Sequence, residues 1–263
     1  MQIEYRGEFK MKKSLLVVGF LLATVTIVGA QQAESISQNN IKKVKERLGD
    51  KLLTTADAVI ARHVEAIGGR EAILAVKTMM VKGRNTRFGP GDIPVLRYHE
   101  QPNYFRAMRS PEDKSYTLSD GEKTWFVSPA GRRELTEWWA KSMRHERIDG
   151  NFIDYKNQGI AYEYIGLEAF ETEPFAYYHL RRAFPDGVIE NLYFDVDSGL
   201  LHGIWPTSSP RKDSPMLYYD YRKVGGVLFP HIWMRVHDKT APPHLFIVEE
   251  VKINEDFGKD FFK

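Results

Sequence analysis

Cysteine is missing from the whole 263-residue chain. That excludes disulfide staples, thiolate nucleophiles and thiolate zinc sites, and it leaves no lipid-attachment cysteine behind the N-terminal apolar stretch. Stability must come from burial instead, and 43% hydrophobic with 13% aromatic residues is ample for one large core. Long apolar runs are also scarce. Residues 15–28 form one, but at about 1.5 Å per residue it reaches only roughly 21 Å as a helix, against the roughly 30 Å of a hydrocarbon core. Lys12 and Lys13 precede it and Val28-Gly29-Ala30 close it. Residues 1–30 therefore read as a secretion signal that starts at Met11 and is cleaved after Ala30, with an uncleaved anchor as the alternative.

Charge of one sign is lacking as well. The formal excess of +2 comes from the leader, which holds four of the 37 basic and two of the 35 acidic residues and so leaves 33 of each behind. A neutral chain has no field to gather phosphate backbones, which argues against nucleic-acid binding. Nor is there a Gly-x-Ser-x-Gly elbow, a Walker A loop or a His-Glu-x-x-His pair. No enzyme, metal site or cofactor is expected. His231 and His237 share a strand face but stand about 20 Å apart at roughly 3.3 Å per residue, so surface or turn positions are expected for them and for His244. Asp195 to Gly199, "DVDSG", opens like a calcium loop without the later acidic ligand, and reads as a hairpin turn. Glu249 and Glu250 fall on opposite strand faces and cannot converge as an acid–base pair. His63 is either a ligand contact or a histidine at a packing edge.

What is present is periodicity and punctuation. Residues 31–53 are polar and alternate in charge, which predicts a flexible leader segment with a weak helical turn or two. From Thr54 or Thr55, Val59, Ile60, His63, Val64 and Ile67 recur at helical spacing until Gly68 and Gly69 stop them, and Ile73, Leu74 and Val76 supply a second short apolar face. Strands are then predicted over 78–88, 93–100, 103–110, 114–120 and 123–128, and later over 161–167, 175–183, 188–196, 200–205, 215–222, 228–237 and 244–253. Turn signals such as "SDGEK" and "KVGGV" separate them, so consecutive strands should pair antiparallel. Residues 132–147 have helical composition, with Leu135, Trp138, Trp139, Ser142 and Met143 on one stripe. A sheet of eleven or twelve strands must curl. The fold class expected is mainly β (α+β), a curled antiparallel sheet whose concave apolar face is covered by helices, with either packed core or a ligand cavity beneath.

In 188–196, Leu192, Phe194 and Val196 alternate with polar and aromatic residues, as Ile232, Met234 and Val236 do in 228–237. The apolar set is taken as the concave lining: Leu96, Tyr98, Phe105, Trp125, Leu192, Phe194, Ile232 and Met234, with Ile67, Trp138, Trp139 and Met143 from the helices. Trp138, Trp139 and Met143 are either ordinary core or an adaptable apolar lid.

The order "ADAVIARHVEAIGGREAILAVKTMMVKGR", "DGEKTWFVSPAG", "DGNFIDYKNQGIAYEYIG", "ENLYFDVDSGLL" and "YDYRKVGGVLFP" resembles the LolA-like family of outer-membrane lipoprotein-sorting proteins, from Thr54 to Phe262. The resemblance implies an unclosed antiparallel β-barrel of about eleven strands with helices over its opening. It also implies a non-catalytic periplasmic carrier or binding role, with lipid or lipoprotein acyl chains as cargo and a soluble monomer as its form. A periplasmic sensor of the same fold that docks an envelope protein is the alternative. The longer polar N-terminal segment and the Trp-rich insertion depart from the family's carriers.

Overall fold

Glycines and aspartates at the tight turns fold the strands back on one another in sequence order. The computed structural model describes residues 37–86, 92–102, 104–109, 112–170, 175–207, 214–236 and 243–262, apart from the side chains of Trp138 and Trp139. The predicted leader and His237 lie outside them. The chain forms two compact units, one of residues 1–52 with 168–176 and one of 53–167 with 177–263.

In the first unit the segment expected to be flexible forms a helix, α1, over 37–48, followed by a 3-10 turn at Gly49–Lys51. Its polarity marks a solvated helix surface, along which Lys42 and Glu46 pair at 3.9 Å.

The second unit opens with α2 (Ala56–Ala66) and α3 (Arg70–Ala75). Thr55 caps α2, its Oγ1 accepting the Ala58 N–H at 3.2 Å. Replacing it with alanine should cost about 1 kcal/mol, read as a lower urea midpoint; an unmoved midpoint would show the cap to be idle. Strands β1 (Thr78–Thr86), β2 (Ile93–Glu100), β3 (Tyr104–Met108), β4 (Tyr116–Ser119), β5 (Thr124–Ser128) and β6 (Gly131–Leu135) follow. Next come α4 (Trp138–Met143) and β7 (Ala161–Glu168), β8 (Tyr177–Ala183), β9 (Ile189–Asp195), β10 (Leu201–Pro206), β11 (Met216–Val224), β12 (Val227–Arg235) and β13 (His244–Ile253).

The predicted helix over 132–147 is corrected. Its first quarter is β6, paired with β5 from Thr124↔Leu135 to Ser128↔Gly131. Cross-strand contacts override the helical composition: Arg132 lies 3.6 Å from the centre of the Trp125 ring, and Lys123 pairs with Glu134 at 3.1 Å. The strand count among the described residues accordingly rises from the predicted eleven or twelve to thirteen.

The thirteen form one antiparallel sheet in the order β6-β5-β4-β3-β2-β1-β13-β12-β11-β10-β9-β8-β7. β6 and β7 are free edges, so the barrel is unclosed. The sheet is nonetheless tightly curled. Phe105 on β3 and Trp233 on β12 are four strands apart, roughly 19 Å on a flat sheet. Yet their ring centres lie 4.8 and 5.0 Å from the same Arg97 Cζ. Arg144 goes further: it donates to the Glu122 carbonyl in the β4–β5 turn at 3.0 Å and faces Asp186 in the β8–β9 turn at 3.6 Å. The two distant hairpins meet at one guanidinium.

Candidate functional site

Register assigns every strand residue to a face, because directly paired residues share one. Met79 pairs with His99 and Ile253, His99 with Phe105, and Phe105 with Ser119. On the other half Phe246 pairs with Trp233, Trp233 with Tyr218, Met216 with Ile204, Ile204 with Leu192, and Leu192 with Leu180. This is the concave face, since its residues meet the helical cover.

At one end that cover is solid. Ile67, Ile73 and Val76 pack with Met79, Val81, Val227, Phe246 and Val248 in a single buried cluster. The α2–α3 corner sits on the β11–β12 hairpin, with the Leu228 N–H donating to the Ile67 carbonyl at 2.8 Å. Gly68, at φ +128°, lies so close to the Gly226 carbonyl that a Cβ would collide with it.

The link from β6 to β7, residues 136–160, must cross from one sheet edge to the other, and it does so as a strap over the trough. The Thr124 hydroxyl donates to the Ala140 carbonyl at 2.8 Å. Arg97 Nη2 then meets Glu146 Oε1 at 2.8 Å. Ile153 joins the buried cluster, and the Phe152 ring stands 4.7 Å from His63 and 5.7 Å from Phe194. On the last stretch Arg182 holds the Gly150 carbonyl at 2.7 Å, and Tyr155 meets Tyr162 at 4.8 Å.

Away from α3 the same face changes character. Val95, Arg97, Ala107, Ile204, Met216, Tyr218, Trp233 and Arg235 are only half-buried although the sheet curls around them. Glu146, on the strap above, keeps 35% of its side chain accessible and Arg97 keeps 18%. Solvent therefore reaches charged groups inside the curl. Burial pushes the Glu146 carboxyl up, but Arg97, His99 and Arg235 outweigh it and hold it below its ordinary value. Burial drives His99 down to about 4 against the pull of Glu146, so its ring is neutral at physiological pH. Burial first, then Glu146, pushes the Tyr218 hydroxyl upward, leaving it a protonated donor.

The predicted lining divides between the two faces. Ile67, Phe105, Leu192 and Phe194 belong to the concave side, and the last three have no accessible surface at all, 0% each. Leu96 and Tyr98 point the other way: Leu96 joins Met80 and Met108 in a separate cluster, where Tyr98 packs under Phe257 and Phe261 of the C-terminal tail. Trp125 pairs with Leu118, and Leu118 with Arg106, on that same outer face. Ile232 and Met234 are there too, paired with Tyr219 and Leu217. Met143 is half-buried in α4, while the Trp138 and Trp139 side chains lie outside the described residues.

The histidines are also redistributed. His231, expected at the surface, is buried on the concave side and its Nδ1 lies 2.9 Å from the Phe229 carbonyl. His63 is buried against Phe152 and Phe194, with Nδ1 3.0 Å from the Gly199 carbonyl. Among the described residues no group of three or more acidic or histidine side chains could hold a metal ion, and no helix is long and apolar enough to cross a membrane.

Sequence reasoning missed Arg97, His99, Glu146, Tyr218 and Arg235. The alternation in "VLRYHE" separates Arg97 and His99 from Leu96 and Tyr98 clearly enough, but it suggests the opposite orientation.

The fold recurs in solved structures. A LolA superfamily protein from Nitrosomonas europaea superposes with a TM-score of 0.55 at 13% identity, over 80% of this chain and 98% of that one. A DUF1329 family protein from Desulfovibrio piger gives 0.53 at 10% identity, over 78% and 96%. At the level of sequence, neither a protein-family model nor a curated protein matches the chain. The shared feature is the fold: this chain has a LolA-like fold.

Proposed function

From that fold, we propose that the chain is a non-catalytic periplasmic binding or carrier protein that shelters lipid-like acyl chains in the trough between the curled sheet and the strap. The observation that carries the reading is the half-buried concave set, in which Val95, Ile204, Met216 and Trp233 keep accessible surface inside the curl. Each methylene moved there from water contributes about 0.8 kcal/mol, so partial shelter of a chain suffices for useful affinity. Export through residues 1–30, cleavage after Ala30 and a soluble monomer belong to the same reading. Met143 and the Trp138 and Trp139 side chains are proposed as the adaptable part of the strap.

Organic extraction of the purified protein followed by mass spectrometry tests this. Co-purifying lipid is the expected result. Its consistent absence, together with no uptake of a fluorescent fatty acid, overturns it.

One observation favours the alternative, an envelope interaction or sensor protein with a solid body: Phe105, Leu192 and Phe194 are already filled core. On that reading no ligand is taken up while a membrane partner is still retained.

A further inference from the structure

The trough carries one polar ring that its own fold leaves unmatched. His99 has only 3% of its surface accessible, yet neither ring nitrogen has a hydrogen-bond partner among the described residues. Buried donors and acceptors left without partners cost stability wherever they occur, so two on a single ring point to a group that completes them. The ring belongs to the concave face, where His99 pairs with Met79 and Phe105. Phe105 covers one flank, the ring centres 5.1 Å apart. Arg97 is the next residue on the same strand face, roughly 7 Å along the strand. It keeps 18% of its side chain accessible, and its partner Glu146 on the strap keeps 35%. The solvent-reached opening beside the strap therefore lies one side-chain position from His99.

The chemistry of the ring selects the head group that fits it. A neutral imidazole presents one N–H donor and one bare nitrogen that accepts. A hydroxyl combines both complementary roles on one atom. A carboxylate only accepts, and it would set a second anion near Glu146, which already acts electrostatically on His99 and pairs with Arg97 at 2.8 Å. Ester and ether oxygens also only accept, so they leave the bare nitrogen unmet. The Arg97–Glu146 pair is complete in itself and asks no charge of a ligand.

We propose that the trough takes an uncharged lipid with a free hydroxyl, the hydroxyl at the His99 ring and the chain along the half-buried apolar side chains of the concave face. This rests on the reading above that the trough shelters an apolar chain, and it names the head group.

Equilibrium dialysis of the full chain at neutral pH with radiolabelled dodecanol, dodecyl methyl ether and laurate tests the head group separately from the chain. Dodecanol should bind about tenfold more tightly than its methyl ether, the effect of one hydrogen bond to a buried group that otherwise has none, although the ether is the more apolar molecule. It should also bind more tightly than laurate. His99→Phe keeps a ring against Phe105 and should lower dodecanol affinity about tenfold while leaving that of the ether within about twofold. His99→Gln restores a donor and an acceptor, and should recover part of the loss. Should His99→Phe fail to fold, the wild-type ratio and His99→Gln still decide. Dodecanol binding no tighter than the ether, as when buried water already completes the ring, overturns the head-group assignment and leaves chain shelter standing. Tighter binding of laurate than of dodecanol, or an equal loss of dodecanol and ether in His99→Phe, does the same. Binding of none of the three overturns both.

Discussion

Acidifying the protein from pH 6.5 to 4.5 should remove about 2 kcal/mol of stability for each of two buried histidines, roughly 4 kcal/mol together. His63 and His99 are 3% accessible, and burial pushes each from the ordinary 6.5 down to about 4. For His63 the Gly199 carbonyl opposes the shift, and for His99 Glu146 does, without cancelling it. In the unfolded chain each ring accepts a proton near 6.5, but in the fold only near 4. Between those values the unfolded state holds more protons, so falling pH favours it; above 6.5 the contribution is fully present. The carboxylates that the fold holds below their ordinary values, Asp57, Glu146 and Asp220, lose their contributions only under about pH 4.5, outside this window. Burial displaces His145 in the same downward direction. Urea unfolding at pH 7.5, 6.5, 5.5 and 4.5 measures the slope. His99→Leu should remove close to half of it, because a leucine takes no proton. A wild-type slope near zero across this range, or an unaltered slope in His99→Leu, would refute the assignment.

Removing Arg182 should cost about 3–5 kcal/mol, the range for stranding one partner of a buried ion pair. Its side chain is 5% accessible and that of its partner Glu190 is 13%. Arg182 Nε and Nη2 both reach Glu190 Oε2, at 3.0 and 2.5 Å, while Nη1 donates to the Gly150 carbonyl at 2.7 Å and to the Tyr162 hydroxyl at 3.2 Å. The guanidinium also lies 4.9 Å from the centre of the Phe184 ring. One planar fork thus joins β7, β8, β9 and the strap, a geometry that a lysine ammonium cannot reproduce. Arg182→Leu leaves Glu190 charged and alone, with the Gly150 carbonyl unpaired. Chemical denaturation should show the full loss in Arg182→Leu, an intermediate loss in Arg182→Lys, and substantial recovery in the double variant Arg182→Leu with Glu190→Leu. A double variant no more stable than Arg182→Leu would mean that the strap contact, rather than the stranded charge, sets the cost.

The architecture was legible where local chemistry decides it. Thr55, the Gly68-Gly69 break and the turns at 120–123, 195–199 and 224–227 stand where the sequence puts them, because capping and left-handed backbone depend on the residue itself. β6 was not legible: "GRREL" has helical composition, and only the facing Trp125 and Lys123 make it a strand. The trough was half legible. Alternation in "FPHIWMRVH" separates two faces without saying which is inside, and the apolar pair Ile232 and Met234 suggests the wrong answer. A curl wide enough to admit solvent can keep Trp233, Arg235 and Tyr218 within it, with an acid such as Glu146, far away in sequence, facing the cationic side chains. No pattern confined to one strand carries that information. Glu146 itself, in "RHERIDGN", looks like one more solvated charge.

The pairing of the first strand with the last has an effect on the order of assembly. Every other neighbour in the sheet is adjacent in sequence, whereas Met79 pairs with Ile253 and Val81 with Val251. β1 to β6 can zip up as one meander and β7 to β13 as another, each closing only short loops. The seam between them waits for the ten-residue β13, so the two ribbons stay unjoined until that strand has been made.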